Sequence, residues 1–306
     1  MDAAVRASQF AGLLPRAVPQ YTLPPLAAST RALVMGMGGG CDVFAACSFA
    51  HQWSAENPGA TVLFANCVGP RPLPDDHTAL TPHLYRLPAE TVPLSAGDEA
   101  YGSTRLEQSV PRGMEGSPFL VTVPRSGKDD GTVEELSSAN TAAIGGALTA
   151  LHVDQVLAID LGGDSLTGGR DFARDAELGR DRQVLHALRS SCRAGALPGG
   201  VVHIVLGPGC DGETPIDAMR AAVRGADERG ELLGAMPRLG GTLPMMAQLA
   251  GGLSASRTPN ILAAAMARAD ANEAVWDDTA LCTITRHGHT ESVPWAWLTV
   301  GLALRL

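Results

Sequence analysis

The sequence predicts an α/β protein with a doubly wound, mostly parallel, Rossmann-like sheet and helices on both faces. Three observations predict it. Short apolar runs without strict alternation recur along the chain, which suits strands buried on both faces. Helical stretches alternate with these runs. Several runs end in glycines followed by an acid, the chemistry of a strand–turn–helix junction.

The first strand is "ALVMGM" (32–37), followed by the helical stretch "DVFAACSFAHQWSA" (42–55) and a second strand, "TVLFANCVG" (61–69). "HLYRL" (83–87) and "PFLVTVP" (118–124) read as further strands. The helix "TVEELSSANTAAIGGALTALH" (132–152) leads into the strand "QVLAIDLGG" (155–163), and the helix 176–192 follows it. The strand "VVHIVLGPG" (201–209) precedes a helix over 214–230, and "LCTITRHG" (281–288) reads as the last strand. The segment at about 70–131, with "GPRPLPDD" and "RSGKDDG", reads as an irregular excursion over the sheet, a lid with one strand in its middle. Residues 1–30 read as an N-terminal arm or helix and 31–306 as a single Rossmann-like domain. Arg6, Arg16 and many alanines leave a transit peptide open for the first residues, and Asp2 counts against it.

The bulk chemistry excludes several function classes. With 306 residues the chain can bury a large core, and with 4% aromatics that core must be built from Ala, Val and Leu. A net charge of -9 argues against nucleic acid and against a membrane surface as partner. No apolar run approaches the roughly 20 residues that span a bilayer. The six cysteines form no CxxC pair, so most read as buried free thiols in a cytoplasmic protein. A homo-oligomer is left open.

In an open α/β sheet, ligands bind outside the carboxyl ends of the strands. After the first strand come Gly38, Gly39, Gly40 and Asp42, and after the second come Asn66 and Gly69. "DLGGDSLTGG" supplies Asp160, Gly162, Gly163, Asp164 and Ser165, and "GPGCDGETP" supplies Gly209, Asp211 and Glu213. Taken singly, each loop is explained by turn glycines and a helix-capping Asp. Taken together, three loops of one plan on one rim point to a bound small molecule. Glycines let a ligand approach the backbone, and N–H groups at helix starts attract anions. The carboxylates Asp42, Asp164 and Asp211 offer the hard oxygens that Mg²⁺ prefers.

Named nucleotide motifs do not fit. In a G-x-G-x-x-G fingerprint, Gly36 and Gly38 take the first two places, but the third falls on Cys41. The acid expected at the end of the second strand is replaced by Asn66. No Gly-Lys-Ser/Thr and no G-x-S-x-G occurs, and Lys128 is the only lysine. In "RHGHTE", His287 and His289 at i, i+2 would point the same way on a strand and could carry a proton or bind a metal. His51, His77, His83, His152, His186 and His203 lack such company and read as structural or surface residues.

The blocks "GMGGGCDVFAA", "DLGGDSLTGG" and "ELGRDRQVL" resemble the DUF1152 family of uncharacterised archaeal and bacterial proteins. The matching positions are Gly38, Gly39, Gly40, Asp42 and Val43, then Asp160, Gly162, Gly163 and Asp164, then Asp181. Cys41 stands where the family often continues with glycine. The resemblance implies the same fold and site location, over roughly 30 to 290, and no particular reaction.

The function expected is a small-molecule enzyme acting on a phosphorylated or nucleotide-like metabolite, with Asp42, Asp164, His287 and His289 as catalytic candidates. One alternative is a non-catalytic metabolite-binding or sensor protein. A second is an oxidoreductase with an atypically bound dinucleotide.

Overall fold

A computed structural model describes residues 12–94, 105–170, 173–271, 280–286 and 288–306. The apolar runs form the strands the sequence predicts. β1 (Arg31–Gly36) and β2 (Thr61–Val68) are buried after their first residue. β1 pairs in parallel with β2 on one side and with β6 (Gln155–Leu161) on the other. β5 (Phe119–Thr122) continues the parallel sheet beyond β2, and β7 (Gly200–Leu206) continues it beyond β6. The central order is therefore β5-β2-β1-β6-β7. The chain leaves β1 in one direction and later returns to its other side, so strand order reverses between β1 and β6. Such a switch point opens a crevice at the carboxyl ends of the two strands.

Antiparallel strands widen the sheet at both edges. β4 (Leu84–Arg86) pairs with β5, and β3 (Thr78–Thr81) pairs with β4. The segment at 70–131 thus extends the sheet instead of only passing over it. At the other edge, β11 (Val300–Arg305) lies antiparallel between β7 and β8 (Leu232–Pro237). The expected final strand at 281–288 does not join this sheet. Its described part is β9 (Leu281–Arg286), which forms a separate two-stranded hairpin with β10 (His289–Pro294). The reason is visible in "LCTITR": burial peaks at Ile284 while Leu281, Thr283 and Thr285 stay exposed, the pattern of a strand covered on one face.

α1 (Asp42–Glu56) joins β1 to β2, the short α2 (Arg105–Gln108) precedes β5, and α3 (Val133–Ala150), α5 (Arg180–Arg193) and α6 (Ile216–Glu228) lead from β5 to β6, β6 to β7 and β7 to β8. α3 packs against α5, and α1 packs against α7 (Leu243–Leu249), which in turn touches α8 (Thr258–Asp270). α3 begins with a capping box. Thr132 Oγ1 accepts from the Glu135 N–H, and the Glu135 carboxylate accepts from the Thr132 N–H. The helix expected at 176–192 is broken: a 3₁₀ turn over Ala176–Leu178 stops at Gly179, and α5 starts afresh at Arg180. That restart puts Arg180 and Asp181 in the first turn of α5, at the end of the helix that meets the switch point.

Residues 12–30 contain no helix. They form an arm that pairs with β8 through Tyr21 N–H to Ala235 O and Ala235 N–H to Pro19 O. All six cysteines are free thiols, four of them buried. No helix among the described residues is long and apolar enough to cross a membrane.

Candidate functional site

The loop after β1 is organised by a carboxylate. Asp42, the first residue of α1, accepts from the Gly38 N–H at 2.8 Å with Oδ2 and from the Leu161 N–H at 3.1 Å with Oδ1. It therefore fastens the β1 loop to the end of β6 across the switch point. A Cβ on Gly38 would lie 2.6 Å from Asp181 Oδ2 and 3.0 Å from Asp42 Oδ2, so a larger residue there would displace these carboxylates. The close approach inferred from sequence is an approach of the protein's own carboxylates. Gly40 differs, since a Cβ there would meet nothing within 4 Å.

The end of β6 supplies the second carboxylate. Asp160 is fully buried and accepts from the Gly163 N–H at 3.0 Å, the Ser165 N–H at 3.3 Å and the Ser165 hydroxyl. Ser165 Oγ also contacts Nε2 of the fully buried His203 of β7, at 3.1 Å. Gly162 and Gly163 hold left-handed φ of 119° and 101°, and a Cβ on Gly162 would collide with the Asp211 carboxylate. The turn presents Asp164, the first residue of the one-turn helix α4 (Asp164–Thr167). Among the described residues, no donor reaches the Asp164 carboxylate.

The loop after β7 repeats the plan. Asp211 accepts from the Glu213 and Thr214 N–H groups at 2.9 and 3.1 Å and from the Thr214 hydroxyl at 2.9 Å. Gly209 donates to Gly162 O at 2.7 Å, tying this loop to the β6 loop, and its Cα faces Val293 of β10. From the first turn of α5, Asp181 pairs with Arg180 Nε at 3.2 Å. Arg182 holds α5 to α4 by donating to Leu166 O at 2.8 Å.

One carboxylate oxygen from each of Asp42, Asp160 and Asp181 lies within 4.8 Å of the other two. Asp42 and Asp181 open onto a cavity of about 70 Å³, which Asp164, Asp211 and Glu213 also line. Asp160 sits behind it. Three arginines border the same cavity: Arg180, Arg257 and Arg286. Arg257, only 7% exposed, donates to Cys41 Sγ at 3.4 Å, and Arg286, at the end of β9, donates to Ser256 O at 3.0 Å.

Crowding like charges out of water has a cost. At an effective dielectric of about 20, each pair of charges about 5 Å apart repels by roughly 3 kcal/mol. Burial first, then Asp181 and Asp160, pushes the Asp42 carboxyl well above its usual range, against two backbone hydrogen bonds. Burial and the surrounding acids do the same to Asp164. Burial raises Asp211 to about 6. Burial and the neighbouring Asp211 and Asp181 raise Glu213 to about 7, against Arg286 and Arg180. Such a cluster is relieved by protons or by a cation.

Of the residues singled out from sequence, Gly38, Gly40, Asp42, Asp164, Asp211 and Glu213 line the cavity. Gly39, Gly162, Gly163, Ser165 and Gly209 shape the loops around it. Asn66 turns away from it, and its Nδ2 donates instead to the buried Glu107 at 2.8 Å. Glu107 in turn pairs with Arg71 at 3.2 Å. His289 opens β10 and is not among the residues lining the cavity, and His287 lies outside the described residues. Of the expected Asp42, Asp164 and Asp211, Asp42 belongs to the converging trio with Asp160 and Asp181, and the other two line the same cavity.

Sequence reasoning passed over Arg180 and Arg257. It read His203 as structural or surface, and the structure buries the ring against Ser165 Oγ, beside Asp160. Asp160 carried a signal, a charged residue inside the apolar run "VLAIDL", because a buried charge needs a partner or a role. No family model matches the chain, and no curated protein matches it.

Proposed function

We propose that the protein is an enzyme acting on a phosphorylated small molecule, with a divalent cation of the Mg²⁺ type seated between Asp42, Asp160 and Asp181. One observation carries this reading. Three buried carboxylates converge within 4.8 Å at the switch point of a Rossmann-like sheet. Oxygen donors alone, with no thiolate or imidazole among the three, suit a hard cation. A bare ring of carboxylates would repel a phosphate. A cation reverses that field and supplies charge stabilisation to phosphoryl oxygens. Arg180, Arg257 and Arg286 on the rim add donors for the same oxygens. Asp164 and Glu213, at the mouth of the cavity, stand where a proton could be passed to or from the bound group. The resemblance to the DUF1152 family, carried by the motif blocks, fits a site in this position.

The test is direct. Mn²⁺ binding, followed by calorimetry and by its electron paramagnetic resonance signal, should be strong in the wild type and abolished by Asp42→Asn and by Asp181→Asn. Wild-type protein that binds neither Mn²⁺ nor Mg²⁺ would end this reading. Turnover would then be sought among phosphorylated metabolites with and without Mg²⁺.

A further inference from the structure

The acidic cavity is too small for a metabolite. Its volume of about 70 Å³ corresponds to on the order of five waters, room for a cation and a phosphoryl group. The body of any organic phosphate must lie elsewhere. A second cleft, of about 500 Å³, adjoins the first, and Arg180 lines both. That volume falls within the range of small-molecule sites, about 300–1,000 Å³.

The second cleft lies past the carboxyl ends of β2 and β5. Gly69 and Pro70 follow β2, and Val123 follows β5. Its lining includes the apolar Pro70, Val123, Ala173 and Leu178, together with the cationic Arg125, Lys128 and Arg180. Asp129, held by Arg125 at 3.2 Å and by the Ser126 N–H at 2.9 Å, supplies a carboxylate for sugar hydroxyls. In a doubly wound sheet, a ligand that begins at the switch point runs along the strand ends of one half.

We infer that the substrate is a nucleoside phosphate, with its phosphate at the acidic cavity beside Arg180 and its nucleoside in the cleft over β2 and β5. This rests on the metal–phosphate reading above and adds the substrate class. The inference can be tested apart from that reading, because Gly69 offers a way to fill the cleft alone. Gly69 has no left-handed φ, and a Cβ there would meet only Arg180 Cδ, at 3.9 Å.

The experiment measures binding of the four common nucleoside monophosphates and of inorganic phosphate, in the presence of Mn²⁺, to wild type, Gly69→Ala and Gly69→Leu. We expect at least one monophosphate to bind wild type and Gly69→Ala at least tenfold more tightly than inorganic phosphate. That advantage should vanish in Gly69→Leu while Mn²⁺ affinity stays unchanged in all three. If no monophosphate outbinds inorganic phosphate in the wild type, or if Gly69→Leu leaves the advantage intact, the inference is overturned. Absence of Mn²⁺ binding would remove the metal reading, and the cleft would be judged in metal-free buffer by the same comparison. There, loss of monophosphate binding in Gly69→Leu upholds the nucleoside cleft, and unchanged or absent wild-type binding sinks it.

Discussion

Asp42 and Leu161 join the two halves of the fold: the Asp42 carboxylate accepts the Leu161 backbone N–H at 3.1 Å across 119 positions of sequence. The same carboxylate holds Gly38 of its own loop and belongs to the converging trio. One side chain thus fixes the switch point and charges it.

Asp164 is an acid whose charge the fold opposes. It is crowded by Asp181, Asp160, Asp211 and Glu213 and receives no hydrogen bond from a described donor. Asp164→Asn should therefore stabilise the metal-free protein at pH 8, by about 1 kcal/mol. At pH 5 the gain should be smaller, because a carboxyl whose proton affinity is raised is protonated more readily there. Urea unfolding at the two pH values would check this. A loss of stability at pH 8 would contradict it.

Metal-free stability should fall as pH rises from about 4 to about 7. The sign follows from proton counts. Asp211 at about 6 and Glu213 at about 7 hold protons in the folded state that the unfolded chain has already released. Their stabilisation is complete below the unfolded carboxyl range and is lost as pH climbs through the raised values. Asp211 alone contributes up to about 3 kcal/mol on this basis. Excess Mg²⁺ should flatten or reverse the trend, since a cation binds the deprotonated cluster. Melting temperatures across pH 4–8, with and without Mg²⁺, would show it.

Two glycines on these loops should behave oppositely. Gly162→Ala places a Cβ on a residue with φ of 119° and drives it into Asp211. The cost should be about 3 kcal/mol or more, the sum of backbone strain and a displaced buried carboxylate. Gly40→Ala meets open space without a left-handed φ and should stay within about 1 kcal/mol of wild type. Chemical denaturation of both variants would separate them.

Ser165→Ala should cost about 1–3 kcal/mol, because it removes a donor from buried Asp160 and a partner from buried His203 Nε2. It should also weaken Mn²⁺ binding, since Asp160 would lose the group that orients it. A variant that unfolds at the wild-type denaturant midpoint would show that the hydroxyl plays no part.

The parallel core was legible because β1, β2, β6 and β7 are largely buried and their sequences are predominantly apolar runs, with Asn66, Asp160 and His203 as the polar exceptions. β9 was legible as a strand but was assigned to the wrong sheet. Its alternation of Thr and Ile, rather than its apolarity, carried the information. β11 enters antiparallel with no crossover helix before it, β8 runs straight into the irregular turn at Arg238–Gly241, and both went unread. In the site, Asp42, Asp164 and Asp211 stood out because each follows a strand. Asp181 reaches the cavity only because Gly179 restarts a helix. Arg257 reaches Cys41 across 216 positions, a contact no local pattern announces.

The slot filled by β11 also sets an order of assembly. β8 has no partner in the central sheet until Val300–Arg305 enters between it and β7. On the ribosome, Leu232–Pro237 must therefore wait with an open apolar edge while β9, β10 and the rest of the intervening chain are made. Such a waiting edge invites pairing with other nascent chains. The arm at Pro19–Tyr21, synthesised long before and bonded to Ala235, covers the outer side of β8. In the folded protein it leaves β8 paired on both sides, with β11 on one and the arm on the other.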